Sequence, residues 1–349
     1  MADTSGALTD IPATQSTTTA LWRAFGWAIV VATFVFLLNN YLIFWRGWPG
    51  VAPMLTQLGI LAADGAAAPI TGWALLLGWL QLTSYAFCLI GPWLFVNFSA
   101  RRSLRDDSAT MHAISSYIIR TSFWMILFVG FADMVISFLR VEELLGVFLS
   151  DDLVQKMGRS QFRGPYIHLP LTIAAFIAAA FSRSLGFPWL ALLVVVAELT
   201  IVITRFVFSY EQAFMGDLVR FWYAGLFLFA SAYTLFEDGH VRVDVLYANF
   251  TSRTKGMINA VGCLLLGIVL CWVILIIGMH GRANVINSPL LVLEVSQSGY
   301  GMYVKYLMAG FLAIYAVSMM IQFTSYLLES IADFFGEPGE RRPAVEPPH

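Results

Sequence analysis

Long apolar runs, separated by short polar segments, cover most of this sequence of 349 residues. A helix of about 20 apolar residues crosses the roughly 30 Å hydrocarbon core of a bilayer. Seven runs reach or approach that length, at 21–44, 72–96, 116–139, 188–208, 218–236, 257–279 and 303–328. An eighth, 167–185, is shorter and carries Arg183, so it either crosses the membrane or lies in the interface as an amphipathic helix. The pattern predicts an all-α, polytopic membrane bundle.

Basic residues are divided unevenly among the polar segments. Short cytoplasmic loops carry the excess of Lys and Arg, and segments 98–115 and 237–256 hold three such residues each, whereas 45–71 and 281–302 hold one each. Two loops on the cytoplasmic side must be separated by an even number of membrane crossings. The number of spans between 98–115 and 237–256 is even only if 167–185 crosses, so this segment is predicted to cross. We therefore predict eight transmembrane helices with both termini in the cytoplasm. The alternative is seven spans and an interfacial helix.

The same pattern divides the chain into four regions. Residues 1–20 are polar, rich in Ser and Thr, and predicted to be disordered. Residues 21–187 form a membrane region of about four spans, with an amphipathic outer loop at 140–166, and residues 188–330 form a second region of four helices. Residues 331–349 are predicted to be a disordered cytoplasmic tail, since prolines and charges dominate its end.

Composition narrows the possible functions. The chain is 59% hydrophobic and 12% charged with a net charge of -2, so no basic surface for a nucleic-acid partner is expected. The three cysteines, Cys88, Cys263 and Cys271, lie in apolar runs and are predicted to act as small hydrophobic residues. Motifs of zinc proteases, P-loop proteins, serine hydrolases and dithiol enzymes are missing from the sequence. We therefore expect neither enzymatic activity nor a metal site.

Two carboxylates, Asp133 and Glu198, fall inside predicted spans. A charge at the bilayer centre costs about 2.5–3.5 kcal/mol on insertion scales and marks a candidate functional residue. Either carboxylate would bind a proton or cation in a carrier, or would hydrogen-bond a hydroxyl, Asn or Arg of a neighbouring helix. We favour the second interpretation, because no second carboxylate stands one helical turn away.

Histidines raise the separate possibility of a haem. A b-type haem in a helical bundle needs two imidazoles that face each other from different helices. The predicted topology places His168 and His280 at the same outer edge of the bundle. Both lie at segment ends, where a solvated histidine is common, so we expect no cofactor.

An ordered series of short motifs runs through residues 188–330. It consists of RFVF at 205–208, Glu211, AYTL at 232–235, DGHVRVDVLY at 238–247, Glu294, Gly301, Tyr303 and Lys305. This series resembles the small membrane subunit of TRAP transporters, the DctQ-type permease family. The form of the 232–245 motif is most similar to the branch associated with uptake of 2-oxo acids or of mannitol and chloroaromatic compounds. Residues 1–187 have no counterpart in the usual four-span subunit.

The resemblance implies a role in sodium-driven symport of organic substrates, carboxylates or 2-oxo acids, across the bacterial inner membrane. In that family a periplasmic binding protein delivers substrate to a large membrane subunit, which carries the substrate and sodium sites and moves as an elevator. The small subunit is a fixed scaffold that contacts the large subunit and membrane lipids. The candidate residues for the family motif and for this interface are Glu198, Arg205, Glu211, Asp238, Gly239, His240, Arg242, Asp244 and Glu294.

Two alternatives remain open at this point. One is a haem-bearing membrane anchor of a respiratory complex. The other is a self-sufficient secondary carrier that uses Asp133 and Glu198 as ion-coupling residues.

Overall fold

The structure, a computed structural model, describes residues 16–62, 70–183, 186–210, 212–237, 247–296 and 301–339. Every regular element in these ranges is a helix, and eight helices are long and apolar enough to cross a membrane. They are α1 (Thr17–Arg46), α2 (Trp73–Phe98), α3 (Leu104–Val141), α4 (Ser160–Phe181), α5 (Phe187–Val207), α6 (Met215–Phe236), α7 (Ser252–Met279) and α8 (Lys305–Phe335). The predicted all-α bundle with eight candidate spans is confirmed.

Short helices connect the long ones. They are Val51–Gln57 between α1 and α2, Leu145–Phe148 and Asp151–Met157 between α3 and α4, a 3-10 turn at Tyr247–Asn249 before α7, and Asn287–Val292 before α8. α4 and α7 each contain a π-helical turn, at Gly164–His168 and Cys263–Ile268.

Several helices extend beyond the boundaries predicted from hydropathy. α1 begins at Thr17 and α8 continues to Phe335, so the inner edges of the two segments predicted to be disordered, 1–20 and 331–349, are helical. Residues 1–15 and 340–349 lie outside the described ranges. α3 has 38 residues, which corresponds to about 57 Å. It begins at Leu104 because Ser103 and Asp106 form a reciprocal capping box.

The eighth span differs most from its predicted position. Hydropathy placed it at 167–185, whereas α4 starts at Ser160 and ends at Phe181. The predicted outer loop 140–166 therefore ends before Ser160. The difference arises because the polar start of α4 is buried against α3 instead of facing solvent. α4 then follows α3 along its length, and the hydroxyl of Tyr117 donates to the carbonyl oxygen of Phe176 at 3.0 Å.

The directions of the helices agree with an even number of crossings. Arg105, at the start of α3, contacts Asp333 near the end of α8, and Asp133, near the end of α3, contacts Tyr303 just before α8. α3 and α8 are therefore antiparallel. Arg23, near the start of α1, contacts the first turn of α3, so α1 begins at the end of the bundle where α8 finishes.

α8 lies at the centre of the bundle. Half (50%) of an apolar 18-residue stretch of α8 is buried, against 11% of the corresponding stretch of α5. It contacts α1, α3, α6 and α7. Gly256 in α7 permits close approach of two backbones, because a Cβ there would lie 2.5 Å from the carbonyl oxygen of Ser330. α8 thus joins the first half of the chain to the second.

Candidate functional site

A fully buried ion pair joins α3 to α4. The side chains of Asp133 and Arg163 have no exposed surface, and Nη1 of Arg163 lies 2.7 Å from Oδ1 of Asp133. Nε of Arg163 donates to the carbonyl oxygen of Met157 at 2.6 Å. The second oxygen of Asp133 accepts the backbone N–H of Tyr303 at 2.7 Å. One carboxylate therefore connects residues of the first four spans with the entrance to α8.

His168 extends this cluster. Its Nε2 lies 3.1 Å from Oδ1 of Asp133, and its Nδ1 lies 2.7 Å from the hydroxyl of Tyr306 in α8. The π-helical turn at Gly164–His168 brings His168 to the same carboxylate oxygen that Arg163 contacts. Both ring nitrogens of His168 lie within hydrogen-bond distance of side-chain oxygens, so neither is free to bind a haem iron. His280, the other histidine considered for a haem, is exposed.

Tyr303 contacts two guanidinium groups. The guanidinium carbons of Arg163 and Arg140 are 4.3 Å and 4.8 Å from the centroid of its ring, within cation–π range. Its hydroxyl accepts from Nη1 of Arg140 at 2.5 Å and donates to the carbonyl oxygen of Gly158 at 2.8 Å. We name Asp133, Arg140, Arg163, His168, Tyr303 and Tyr306 the Asp133 cluster. Its contacts connect α3, α4 and the start of α8.

A second polar contact runs along α3 and α8. Paired side chains descend the antiparallel interface, with Ser108 opposite Ser325, His112 opposite Gln322 and Ser115 donating to the carbonyl oxygen of Ser318. The distances are 2.9 Å, 3.0 Å and 3.1 Å. Small residues and hydrogen bonds are the usual means of helix association where the hydrophobic effect offers no preference between helix and lipid. This interface again joins the two halves of the chain.

The opposite end of the bundle holds a second buried ion pair. Nε of Arg23 donates to Oδ2 of Asp107 at 2.6 Å, and neither side chain is exposed. Arg23 also donates to the carbonyl and hydroxyl oxygens of Ser99, both at 3.0 Å. Arg102, which is partly exposed, donates to the other oxygen of Asp107 at 2.9 Å. These contacts fix α1 to the start of α3.

Two further contacts join the halves of the chain outside the buried ion pairs. Nδ2 of Asn40 in α1 donates to the carbonyl oxygen of Met279 in α7 at 2.6 Å. Beyond the end of α3, Glu142 accepts hydrogen bonds from Tyr210 and from Gln212, which lie between α5 and α6. These two donors lower the pKa of the Glu142 carboxyl below its ordinary value. The contacts support a single integrated bundle.

Glu198, Arg205 and Glu294 are the predicted site residues that fall in the described ranges, and the structure does not bring them together. Glu198 and Arg205 are exposed on α5. Glu294 accepts from Nζ of Lys305 at 2.6 Å just before α8. The remaining predicted residues, which lie outside the described ranges, are Glu211, Asp238, Gly239, His240, Arg242 and Asp244.

The two carboxylates of the predicted spans have different environments. Asp133 pairs with an Arg of a neighbouring helix, as the favoured interpretation predicted. Glu198 has no hydrogen-bond or ion-pair partner in the part of the chain that the structure describes. Because Asp133 is enclosed by its own partners and Glu198 is on the outer surface, the two do not form one ion-coupling site. Among the described residues, no group of His, Cys, Asp and Glu is arranged to hold a metal ion.

The sequence analysis missed several residues of these contacts. Ser103 and Asp106 have the spacing of a capping box, which signals a helix start before residue 116. Ser108, His112 and Ser115 follow a helical spacing that indicates one polar face. No sequence signal pairs Asp133 with Arg163, because thirty positions separate them and Arg163 lies in a segment rich in basic residues.

Residues 191–326 match the family model described as the DctQ component of tripartite ATP-independent periplasmic transporters. No curated protein and no solved structure matches the chain. The matched range begins inside α5 and ends inside α8, so α1 to α4 precede it. The resemblance inferred from the motifs is confirmed for this range, and the four preceding helices are an additional N-terminal extension.

Proposed function

We propose, from the DctQ-component domain that this chain carries at residues 191–326, that the protein is the small membrane subunit of a tripartite transporter. It pairs with a large membrane subunit and works with a periplasmic substrate-binding protein. The large subunit carries the substrate and the coupling ion, whereas this chain widens the fixed part of the complex. The family match is the observation that carries the proposal.

The state of the buried charges supports a scaffold role. Asp133 is neutralised by Arg163, and Asp107 by Arg23 and Arg102. A transport site needs ligand positions that stay available to substrate or ion, commonly at interrupted helices near the middle of the membrane. Among the described residues, the fully buried Asp and Arg side chains form two ion pairs, Arg23–Asp107 and Arg163–Asp133, which is the arrangement that a fixed structural element requires.

The N-terminal extension belongs to the same rigid unit in this proposal. The Asp133 cluster and the polar interface of α3 with α8 tie it to the DctQ-component domain. At the other end of the bundle, Nη2 of Arg105 in α3 donates to Oδ1 of Asp333 in α8 at 2.6 Å. An extension held at both ends enlarges the scaffold and does not move as a separate domain.

The substrate and orientation are proposed on the sequence motifs. We propose sodium-driven uptake of organic acids, 2-oxo acids among them, because of the motif at 232–245. We place the protein in the bacterial inner membrane with both termini in the cytoplasm. The contacts of Arg140 and Arg163 support this orientation, because these two basic residues of the outer segment are engaged inside the chain and do not act as free charges.

The motif residues are proposed to serve folding, lipid head-group contact and docking. Basic side chains at span ends reach lipid phosphates, and acidic residues in the same loops pair with basic ones of the chain or the partner. This assignment covers Glu198, Arg205, Glu211, Asp238, Gly239, His240, Arg242, Asp244 and Glu294.

Co-purification tests the pairing directly. We expect this chain, solubilised in mild detergent, to be recovered with an affinity-tagged large subunit in a constant ratio. A version of the chain that lacks residues 188–330 is expected to be lost from the tagged complex. The proposal fails if that shortened chain stays bound as well as the complete one, because the DctQ-component domain would then not be the part that docks.

A further inference from the structure

Glu198 occupies an unusual position for a carboxylate. It lies near the middle of α5 (Phe187–Val207), and its side chain is exposed on the surface of the chain. Among the eight described spans, it is the one carboxylate in the middle of a span that is exposed. Asp133, by contrast, is completely buried and paired. The surface around Glu198 therefore requires its own explanation.

The lipid hydrocarbon is an unfavourable environment for the carboxylate of Glu198. Intramembrane ionisable residues almost always face a bundle interior or a water-filled cavity, because hydrocarbon offers no hydrogen-bond partner. Glu198 is too far from the ends of α5 to reach a head group readily with its short side chain. The carboxylate is therefore expected to be covered by protein in the working complex.

The neighbours of Glu198 on this side of α5 are exposed as well. Leu190 and Ala197 face the bundle and are buried, whereas Val195 and Val202, which flank Glu198 on the helix, are 61% and 49% exposed. Arg205 lies two helical turns further on the same flank and is exposed. α2 is the span with the next lowest burial, but it contains no charged residue.

We propose that the Glu198 flank of α5, defined by Val195, Glu198, Val202 and Arg205, is the docking surface for the large membrane subunit. A helix of that subunit presents an Arg or Lys to Glu198 at mid-membrane depth. This inference rests on the proposed function for the identity of the partner. The charge of Glu198 and the exposure of the flank specify where the partner binds and what chemistry it brings.

A second copy of this chain fits the flank less well. Symmetric dimers bring the same surface of two copies together. A contact centred on Glu198 would then place two carboxylates near each other in a medium that does not screen them. A basic side chain from a different chain removes that repulsion and makes a charge-assisted hydrogen bond.

Photo-crosslinking maps the surface with Glu198 intact. A photoreactive amino acid is placed at Val195 or Leu199 in α5, and at the comparably exposed Leu89 of α2 and Leu266 of α7 as controls. We expect an adduct with the mass of the large subunit from the α5 positions and none from the controls. Adducts from the controls alone, or an α5 adduct of two copies of this chain, would overturn the inference.

Charge substitution tests the chemistry of the partner. In the same complex, Glu198→Gln is expected to weaken recovery of the large subunit at limiting concentration by about tenfold or more, and Glu198→Lys to abolish it. Glu198→Lys is expected to regain binding when the facing basic residue of the large subunit is changed to Glu. Both single variants should keep the elution volume of the unmodified chain, since Glu198 has no hydrogen-bond or ion-pair partner among the residues that the structure describes.

The outcomes separate this inference from the proposed function. If the complex forms as well with Glu198→Lys as with the unmodified chain, the docking surface is wrong and the subunit assignment stands. If the unmodified chain does not bind the large subunit at all, the proposed function itself is wrong.

Discussion

Substitution of Asp133 by Ala is expected to lower the free energy of unfolding by about 3–5 kcal/mol. The variant leaves the guanidinium of Arg163 buried without its counter-ion, with only Met157 and the hydroxyl of Ser137 as acceptors. It also removes the acceptor of the Tyr303 backbone N–H and of the His168 ring. SDS titration of the purified protein in mixed micelles, followed by circular dichroism, measures the change.

Two variants serve as controls for this prediction. Asp152→Ala breaks an exposed ion pair with Lys156 and is expected to change the unfolding free energy by less than about 1 kcal/mol. The double variant Asp133→Leu with Arg163→Met removes both buried charges and is expected to lose less stability than Asp133→Ala alone. An Asp133→Ala protein as stable as Asp152→Ala would show that the Asp133 cluster does not hold the helices together.

Asp107→Ala is expected to have the second largest effect, again about 3–5 kcal/mol of unfolding free energy. Arg23 would keep only the oxygens of Ser99 as partners in a fully buried position. Arg102 is partly exposed and turns to solvent at little cost. The loss should appear first as separation of α1 from α3, so trypsin should cut after Arg102 faster than in the unmodified protein.

The matched variant is Asp106→Ala, one residue earlier in the same helix turn. It removes one arm of the capping box but no buried charge, so its expected loss is about 0.5–2 kcal/mol. Equal stability of the Asp106 and Asp107 variants would contradict the importance of the Arg23–Asp107 pair.

Hydropathy was sufficient to predict the membrane fold because burial in lipid depends on composition over a whole span. It predicted eight spans, and the even number of crossings required by the basic loops indicated that the shortest one crosses. It misplaced the start of that span, α4, because Arg163 reads as a loop residue. The burial of Arg163 depends on Asp133, which is distant in the sequence.

The candidate site was predictable only in part for the same reason. The depth of Asp133 and Glu198 in the membrane follows from their positions within apolar runs. Whether a carboxylate faces inward or outward depends on which helices lie beside it, and one sequence does not contain that information. The structure therefore separates two residues that the sequence treats alike, as Asp133 is enclosed and Glu198 is exposed.

Reconstitution of uptake tests the central claim most directly, that this chain is a scaffold subunit and not a carrier. Proteoliposomes are prepared with the large subunit alone, with this chain alone, or with both. An inwardly directed sodium gradient is imposed, and the binding protein and a labelled organic acid are added outside. We predict uptake only when both membrane chains are present. Uptake by this chain alone, or undiminished uptake by the large subunit without it, would contradict the account.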